Sequence, residues 1–221
     1  MDDGSGRQER FILSLSRQAQ APRVLFLGTA GGDGERGQVK FFRLFSALGA
    51  RCDVLPFFPY EMKRDYARAA READVIYVGG GNTPAMLAVW REFGFDRVLR
   101  EAYDEGTVLA GISAGANCWF ERYVTDSVPG GGLSEGLGFV AGSFCPHLDS
   151  QAWRQPLLAS LSGPAVGAGE HVIVHFVDGR PRECLHAHPE GSPLCLHRQD
   201  GASATLQPWP PQALPDTIEP L

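Results

Sequence analysis

A serine flanked two residues to either side by glycine, Gly111-Ile112-Ser113-Ala114-Gly115, stands between an apolar run and a helical stretch. At a sharp strand-to-helix turn, neighbouring backbones leave no room for a Cβ two residues before or after the bend, so glycines are required there. The side chain at the bend is held out at the carboxyl edge of the sheet. A serine in that place is a nucleophile for acyl transfer, and the helix behind it offers free N–H groups, that of Ala114 first, to a developing oxyanion. The structural alternative is a Gly/Ser turn that only packs well.

A second Gly-rich turn, Gly79-Gly80-Gly81-Asn82-Thr83-Pro84, also follows an apolar run and opens a helix. Its backbone can approach a ligand closely, which makes the amide near Gly81 a candidate second oxyanion donor and Asn82 a candidate substrate contact. The spacings of phosphate-binding loops are absent from it. A serine also needs a base. Of the six histidines, His147 stands in the loop-like Gly142-Ser143-Phe144-Cys145-Pro146-His147, and the other five crowd into C-terminal strands and their flanks. His147 is the expected general base. Asp126, Asp149 and Glu170 are the carboxylates that could orient it, and spacing does not choose among them.

These groups need a scaffold. With 221 residues and 43% hydrophobic content the chain suffices for one sizeable core, and we expect a single domain over 1–206 with a loose Pro-rich tail over 207–221. Val24–Leu27 reads as a doubly buried strand, Val39–Leu48 as a helix, Cys52–Leu55 as a strand and Tyr60–Glu72 as a helix. Val75–Val78 is the next strand, followed by a helix over Pro84–Phe93 capped by Thr83 and another over Phe95–Asp104. Val108–Ala110 is a strand running into Gly111, and helix resumes over Gly115–Glu121. This alternation predicts an α/β fold with a doubly wound, mostly parallel sheet. Gly-rich loops fill the region from Val124 to Gly142, then a helix is expected over Gln151–Leu161. An antiparallel C-terminal portion is expected at His171–Phe176, Glu183–His188 and Leu194–His197, with turns at Asp178-Gly179 and Glu190-Gly191.

A formal net charge of −6 gives no broad positive field, which argues against nucleic acid and for a small substrate. Nothing at Met1-Asp2-Asp3-Gly4 resembles a signal segment, and no apolar run is long enough for a bilayer, so we expect a cytoplasmic protein without a membrane partner. Five scattered cysteines, an odd number, read as reduced thiols. Cys118, one turn past the serine, reads as a packed core thiol. Cys145-Pro146-His147, Cys184-Leu185-His186 with His188, and Cys195-Leu196-His197 contain groups that zinc favours, but lack the spacings of known zinc motifs. No metal or cofactor is expected.

Several of these segments together resemble one family. The Gly79–Thr83 loop, the Gly111–Asn117 elbow, Cys118-Trp119-Phe120-Glu121, Thr125-Asp126-Ser127 and Phe144-Cys145-Pro146-His147 are similar to the peptidase E family of serine hydrolases, which includes aspartyl dipeptidases and is related to cyanophycinase. The resemblance implies a fold like that of class I glutamine amidotransferases, with Ser113 as nucleophile and His147 as base. It implies Glu170, in Ala168-Gly169-Glu170-His171, as the triad acid, with Asp126 as runner-up. It also implies small peptide substrates, including dipeptides with N-terminal aspartate, whose carboxylate Arg154 would contact as a bidentate cation; a solvated surface arginine is the alternative. A cyanophycinase-like amide hydrolase and a catalytically silent small-ligand-binding homologue are the other readings of the scaffold. A homodimer is left open.

Overall fold

The computed structural model describes residues 6–18, 20–58, 65–187, 193–199 and 205–215. They fall into two compact units, Gly6–Ala116 and the residues from Asn117 onward; the stretch 1–206 read from sequence as one domain spans both, and the second unit continues past it into the expected tail.

In the first unit α1 (Arg7–Ser14) precedes β1 (Arg23–Leu27), a 3-10 turn (Thr29–Gly31), α2 (Glu35–Ala47), β2 (Arg51–Val54), α3 (Tyr66–Arg71) and β3 (Val75–Val78). Then come α4 (Thr83–Glu92), α5 (Phe95–Asp104) and β4 (Val108–Gly111). All four strands are parallel, in the order β2-β1-β3-β4. That order reverses between β1 and β3, and in open α/β sheets such a switch point opens a crevice at the carboxyl ends of the strands. The turns after β1 and β3 lie at those ends.

β1 and β3, the inner strands, are apolar because both faces are covered, whereas the edge strand β2 exposes Arg51 and Asp53. Val24, Phe26, Phe41, Phe45, Val75 and Tyr77 form one buried cluster, joined by Ile12 and Leu13 of α1. Its rings are closely packed: Phe26 stacks on Phe41 at 4.9 Å, and Phe45 lies 5.0 Å from both Phe41 and Tyr77. Sequence reading found no element before β1; α1 joins this cluster through Ile12 and Leu13. Asn82, not Thr83, caps α4: its side chain accepts the Ala85 N–H at 2.9 Å, and Thr83 is a buried helical residue. The expected helix start at Tyr60 lies outside the described residues, and α3 begins at Tyr66 behind an Asp65 cap.

The second unit begins within α6 (Ala114–Asn117) and continues through β5 (Phe120–Thr125), β6 (Gly132–Glu135), β7 (Val140–Cys145), α7 (Arg154–Ser160), β8 (Ala165–Ala168), β9 (Val172–Val177) and β10 (Arg180–His186). It ends with β11 (Cys195–Arg198), β12 (Gln207–Pro208) and β13 (Gln212–Ala213). A six-stranded sheet runs β12-β11-β8-β7-β5-β6, with β5, β7 and β8 parallel, and a three-stranded sheet runs β13-β10-β9. Val124, Cys145, Leu148, Leu158, Ala165 and Leu196 make its core.

Three expectations are corrected here. The helix expected to Glu121 stops at Asn117, because the Cys118 and Trp119 carbonyls accept the N–H groups of Leu137 and Phe139, and Phe120 pairs with Val140. The Gly-rich stretch through Gly142 holds β6 and the first half of β7. The segment from Gln207, expected as a loose tail, pairs β12 with β11 and β13 with β10, with Leu214 buried and Trp209 packed 5.1 Å from the His197 ring. The Asp178-Gly179 turn is as expected: both residues have positive φ, 51° and 71°, as a two-residue hairpin requires. The expected turn at Glu190-Gly191 lies outside the described residues.

Removal of the fully buried Phe45 ring should be costly. Phe45→Ala is expected to lower stability by about 3–5 kcal/mol in urea unfolding; a loss under about 1 kcal/mol would contradict the packing described.

Candidate active site

In the first unit the site residues lie on the turns after β1, β3 and β4. Ser113 has φ of 52°, the left-handed region that side chains other than glycine avoid at a cost of roughly 1–3 kcal/mol. Its surroundings enforce that conformation. A Cβ on Gly111 would lie 2.4 Å from the Gly115 carbonyl oxygen, and a Cβ on Gly115 would lie 2.2 Å from that of Val78. The Gly115 N–H closes the bend by donating to Ile112 O at 2.8 Å. This is the geometry expected of Gly111–Gly115, with the half-buried Ser113 at its apex and Ala114 opening α6.

The Gly79–Asn82 turn packs against both neighbours. A Cβ on Gly80 would approach Ser113 Cβ to 3.3 Å, so this turn lies directly beside the serine. Gly81 has φ of 142°, and a Cβ there would be 2.1 Å from Ala30 O, which also accepts the Asn82 N–H at 2.8 Å. Asn82 Oδ1 is engaged as the α4 cap. Sequence reasoning missed the turn after β1 as a support for Gly81. It is tied down by the buried Asp33, whose Oδ2 accepts the N–H groups of Phe57 (2.5 Å) and Phe58 (3.0 Å), and by Trp90 Nε1–H, which donates to Thr29 Oγ1 at 3.1 Å. An aspartate closing the Gly-rich run Gly28–Gly34 was the available signal.

In the second unit His147 follows β7 and Glu170 lies on the turn between β8 and β9. His147 Nδ1 is 2.5 Å from Glu170 Oε1, with side chains 33% and 37% exposed. Against an ionised carboxylate Nδ1 carries the hydrogen, which leaves the Nε2 lone pair to accept a proton. Burial works against ionisation of Glu170, but the hydrogen bond and charge of His147 favour it, and its pKa is lowered below the usual 4.5. His147 also has positive φ, 54°, and its carbonyl accepts Ser150 Oγ–H at 2.9 Å.

Of the three carboxylates named for His147, Glu170 is thus the one whose side chain meets the ring. Asp126 accepts a hydrogen bond from Arg154 Nη2 at 2.7 Å instead. Arg154 is 2% exposed, donates from Nε to Gln151 and lies 4.9 Å over the Trp153 ring. It is not a solvated surface arginine, and its guanidinium is engaged by Asp126. Burial pushes the nearby Cys145 thiol up to about 11, although the Arg154 charge and hydrogen bond oppose the rise. Burial also raises Cys118 well above its ordinary value, consistent with a core thiol. Among the described residues no group of three or more His, Cys, Asp or Glu is placed to hold a metal ion, and His188 lies outside them.

A parallel sheet with a switch point, whose last strand runs into a serine-bearing strand-to-helix turn, defines the class as an α/β protein with a nucleophile at a strand end. Comparison with known proteins makes this specific. Residues 4–182 match the sequence model of Peptidase family S51. The chain is 42% identical over 177 residues to "Uncharacterized peptidase YgaJ" of Bacillus subtilis (strain 168), covering 77% of this chain and 75% of that protein. It is 31% identical over 131 residues to Peptidase E of Haemophilus influenzae, covering 59% of this chain and 56% of that protein. Among solved structures, a putative peptidase E protein from Listeria monocytogenes matches with a TM-score of 0.59 at 17% identity, covering 86% of this chain and 94% of that one. A peptidase from an acI-B1 Actinobacterium matches with a TM-score of 0.63 at 17% identity, covering 90% of each. The chain belongs to peptidase family S51, and with it to the serine peptidases. Among the described residues no helix is long and apolar enough to cross a membrane.

The crowding at the elbow makes a sharp contrast. Gly115→Ala should destabilise by more than about 2 kcal/mol, since backbone must move, whereas Gly37→Ala in α2, with its Cβ 3.7 Å from the Phe26 ring, should be neutral or stabilising by up to about 1 kcal/mol. Equal thermal midpoints for the two variants would contradict this. The His147–Glu170 pair has a pH signature. Because folding lowers the Glu170 pKa, its stabilisation is present above the unfolded value and is lost as pH falls through the folded one. The stability gap between wild type and Glu170→Gln should therefore narrow below about pH 4.5, measured by urea titration across pH 3–7; a gap that widens toward acid would refute it.

Proposed function

We propose that this chain hydrolyses small peptides through an acyl-enzyme on Ser113, with His147 as general base and Glu170 as the acid of the triad. The observation that carries the reading is Ser113 itself, a non-glycine residue forced into left-handed geometry between two glycines in a member of family S51. The 2.5 Å approach of Glu170 to His147 Nδ1 supports the choice of acid.

In the proposed sequence His147 Nε2 takes the Ser113 proton as the oxygen attacks the peptide carbonyl. The amides near Gly81 and Ala114 receive the oxyanion, and loss of one such donor typically costs on the order of 100-fold or more in rate. The imidazolium, stabilised by Glu170, passes its proton to the leaving amine, and water then releases the acid by the reverse path. Dipeptides with N-terminal aspartate are the substrate class suggested by the likeness to peptidase E. Arg154, held by Asp126, is better suited to shaping the site than to meeting a substrate carboxylate.

A serine-directed fluorophosphonate should label the wild type and not Ser113→Ala. Absence of wild-type labelling would point instead to a silent ligand-binding protein. With hydrolysis of an Asp-X and Ala-X dipeptide panel as the assay, Glu170→Gln should lower kcat by roughly 100-fold or more, and Asp126→Asn far less. The reverse order would move the acid to Asp126. Equal rates on Asp-X and Ala-X would remove the aspartyl preference.

A further inference from the structure

Glu170 sits on a turn, half exposed, and something must hold its backbone if its carboxylate is to stay on His147. Asp149 lies two residues past His147 on the same loop. Its Oδ1 and Oδ2 stand 3.2 and 3.3 Å from the Glu170 nitrogen, whose N–H donates to them. Gly169 is shaped by the same group: a Cβ there would fall 2.5 Å from Asp149 Oδ2 and 3.1 Å from Leu194 O. Between His147 and Asp149, the Leu148 N–H donates to Ala168 O at 3.1 Å. The Leu148 side chain is buried, and a Cβ on Gly167 would be 2.8 Å from its Cδ2. Three consecutive residues of the histidine loop thus each engage the segment Gly167–Glu170. The ring meets the Glu170 carboxylate, the Leu148 amide meets Ala168, and the Asp149 carboxylate meets the Glu170 amide.

The two carboxylates have different donors: Asp149 takes the Glu170 backbone N–H, and the Glu170 carboxylate takes the imidazole. We propose that Asp149 is a positioning residue that fixes the Glu170 backbone, so that the Glu170 carboxylate reaches His147 Nδ1 and sets the ring's tautomer. Asp149 touches neither substrate nor the reacting atoms and acts through Glu170. The catalytic consequence rests on the triad reading above, whereas the structural claim can be tested apart from it.

The test uses the full chain and the variants Asp149→Asn, Asp149→Ala, Glu170→Gln and the Asp149→Ala/Glu170→Gln double variant. The first readout is the low-field proton resonance of His147 Nδ1–H, assigned by its loss in His147→Gln. It should persist in wild type and in Asp149→Asn, whose amide oxygen still accepts the Glu170 N–H, and be lost or moved upfield in Asp149→Ala. The second readout is the rate of fluorophosphonate labelling. Asp149→Ala should slow it about tenfold or more, Asp149→Asn by no more than about threefold, and Asp149→Ala should add no further loss once Glu170 is Gln. An unchanged resonance in Asp149→Ala, or losses that multiply in the double variant, would overturn the proposal. If wild type is not labelled, the serine-peptidase reading fails and the resonance alone decides the role of Asp149. If Asp149→Ala does not fold, Asp149→Glu, which displaces the carboxylate by one methylene, is read in the same way: an unaltered resonance counts against the proposal.

Discussion

Where β3 and β4 end, two backbones approach so closely that the Val78 carbonyl oxygen occupies the place a Cβ on Gly115 would need. The presentation of Ser113 depends on that contact. It sets how tightly the chain turns after β4, and the turn in turn forces Ser113 to positive φ and lifts its side chain off the strand. The same closeness propagates across the sheet. Gly80 lies against Ser113, and Gly81 lies against Ala30, so the turns after β4, β3 and β1 lean on one another through main-chain atoms. Main-chain packing has few rotamers to lose, so it can hold a serine at positive φ.

In the second unit the surroundings of His147 are organised by polar groups instead. His147 and Asp149 on one loop engage Glu170 on a neighbouring turn, and Asp126 and Arg154 form a separate pair. The two acid-base systems do not share a carboxylate. Arg154 is buried and must keep a counter-charge, because an unpaired guanidinium in the interior is costly. Asp126 supplies that counter-charge.

The first unit was largely legible because its signals are local. Val75–Val78 and Phe95–Asp104 have the bounds their apolar runs and periodicity suggest, and the elbow follows from two glycines around a serine. The second unit was read less well because long-range pairing decides it. Cys118–Glu121 carries helical composition, yet the carbonyls of Cys118 and Trp119 are taken by residues almost twenty positions on. Gly136 and Gly142 look like loop punctuation but lie where a Cβ would strike the carbonyls of Phe120 and Pro164, so just past β6 and within β7 glycine marks close approach of chains. His147 stood out by its isolation from the other histidines. Which acid it meets depended on a turn whose partner, Asp149, is recognisable only in three dimensions.

The short strands β12 and β13 bear on how the second unit is completed. One covers the open side of β11 in the six-stranded sheet, and the other covers β10 in the three-stranded sheet, within a span of seven residues. A single Pro-rich segment thereby seals two exposed hydrogen-bonding rims at once, and its prolines discourage any further strand from adding outside it. Loss of this one segment would therefore open two borders to self-association together.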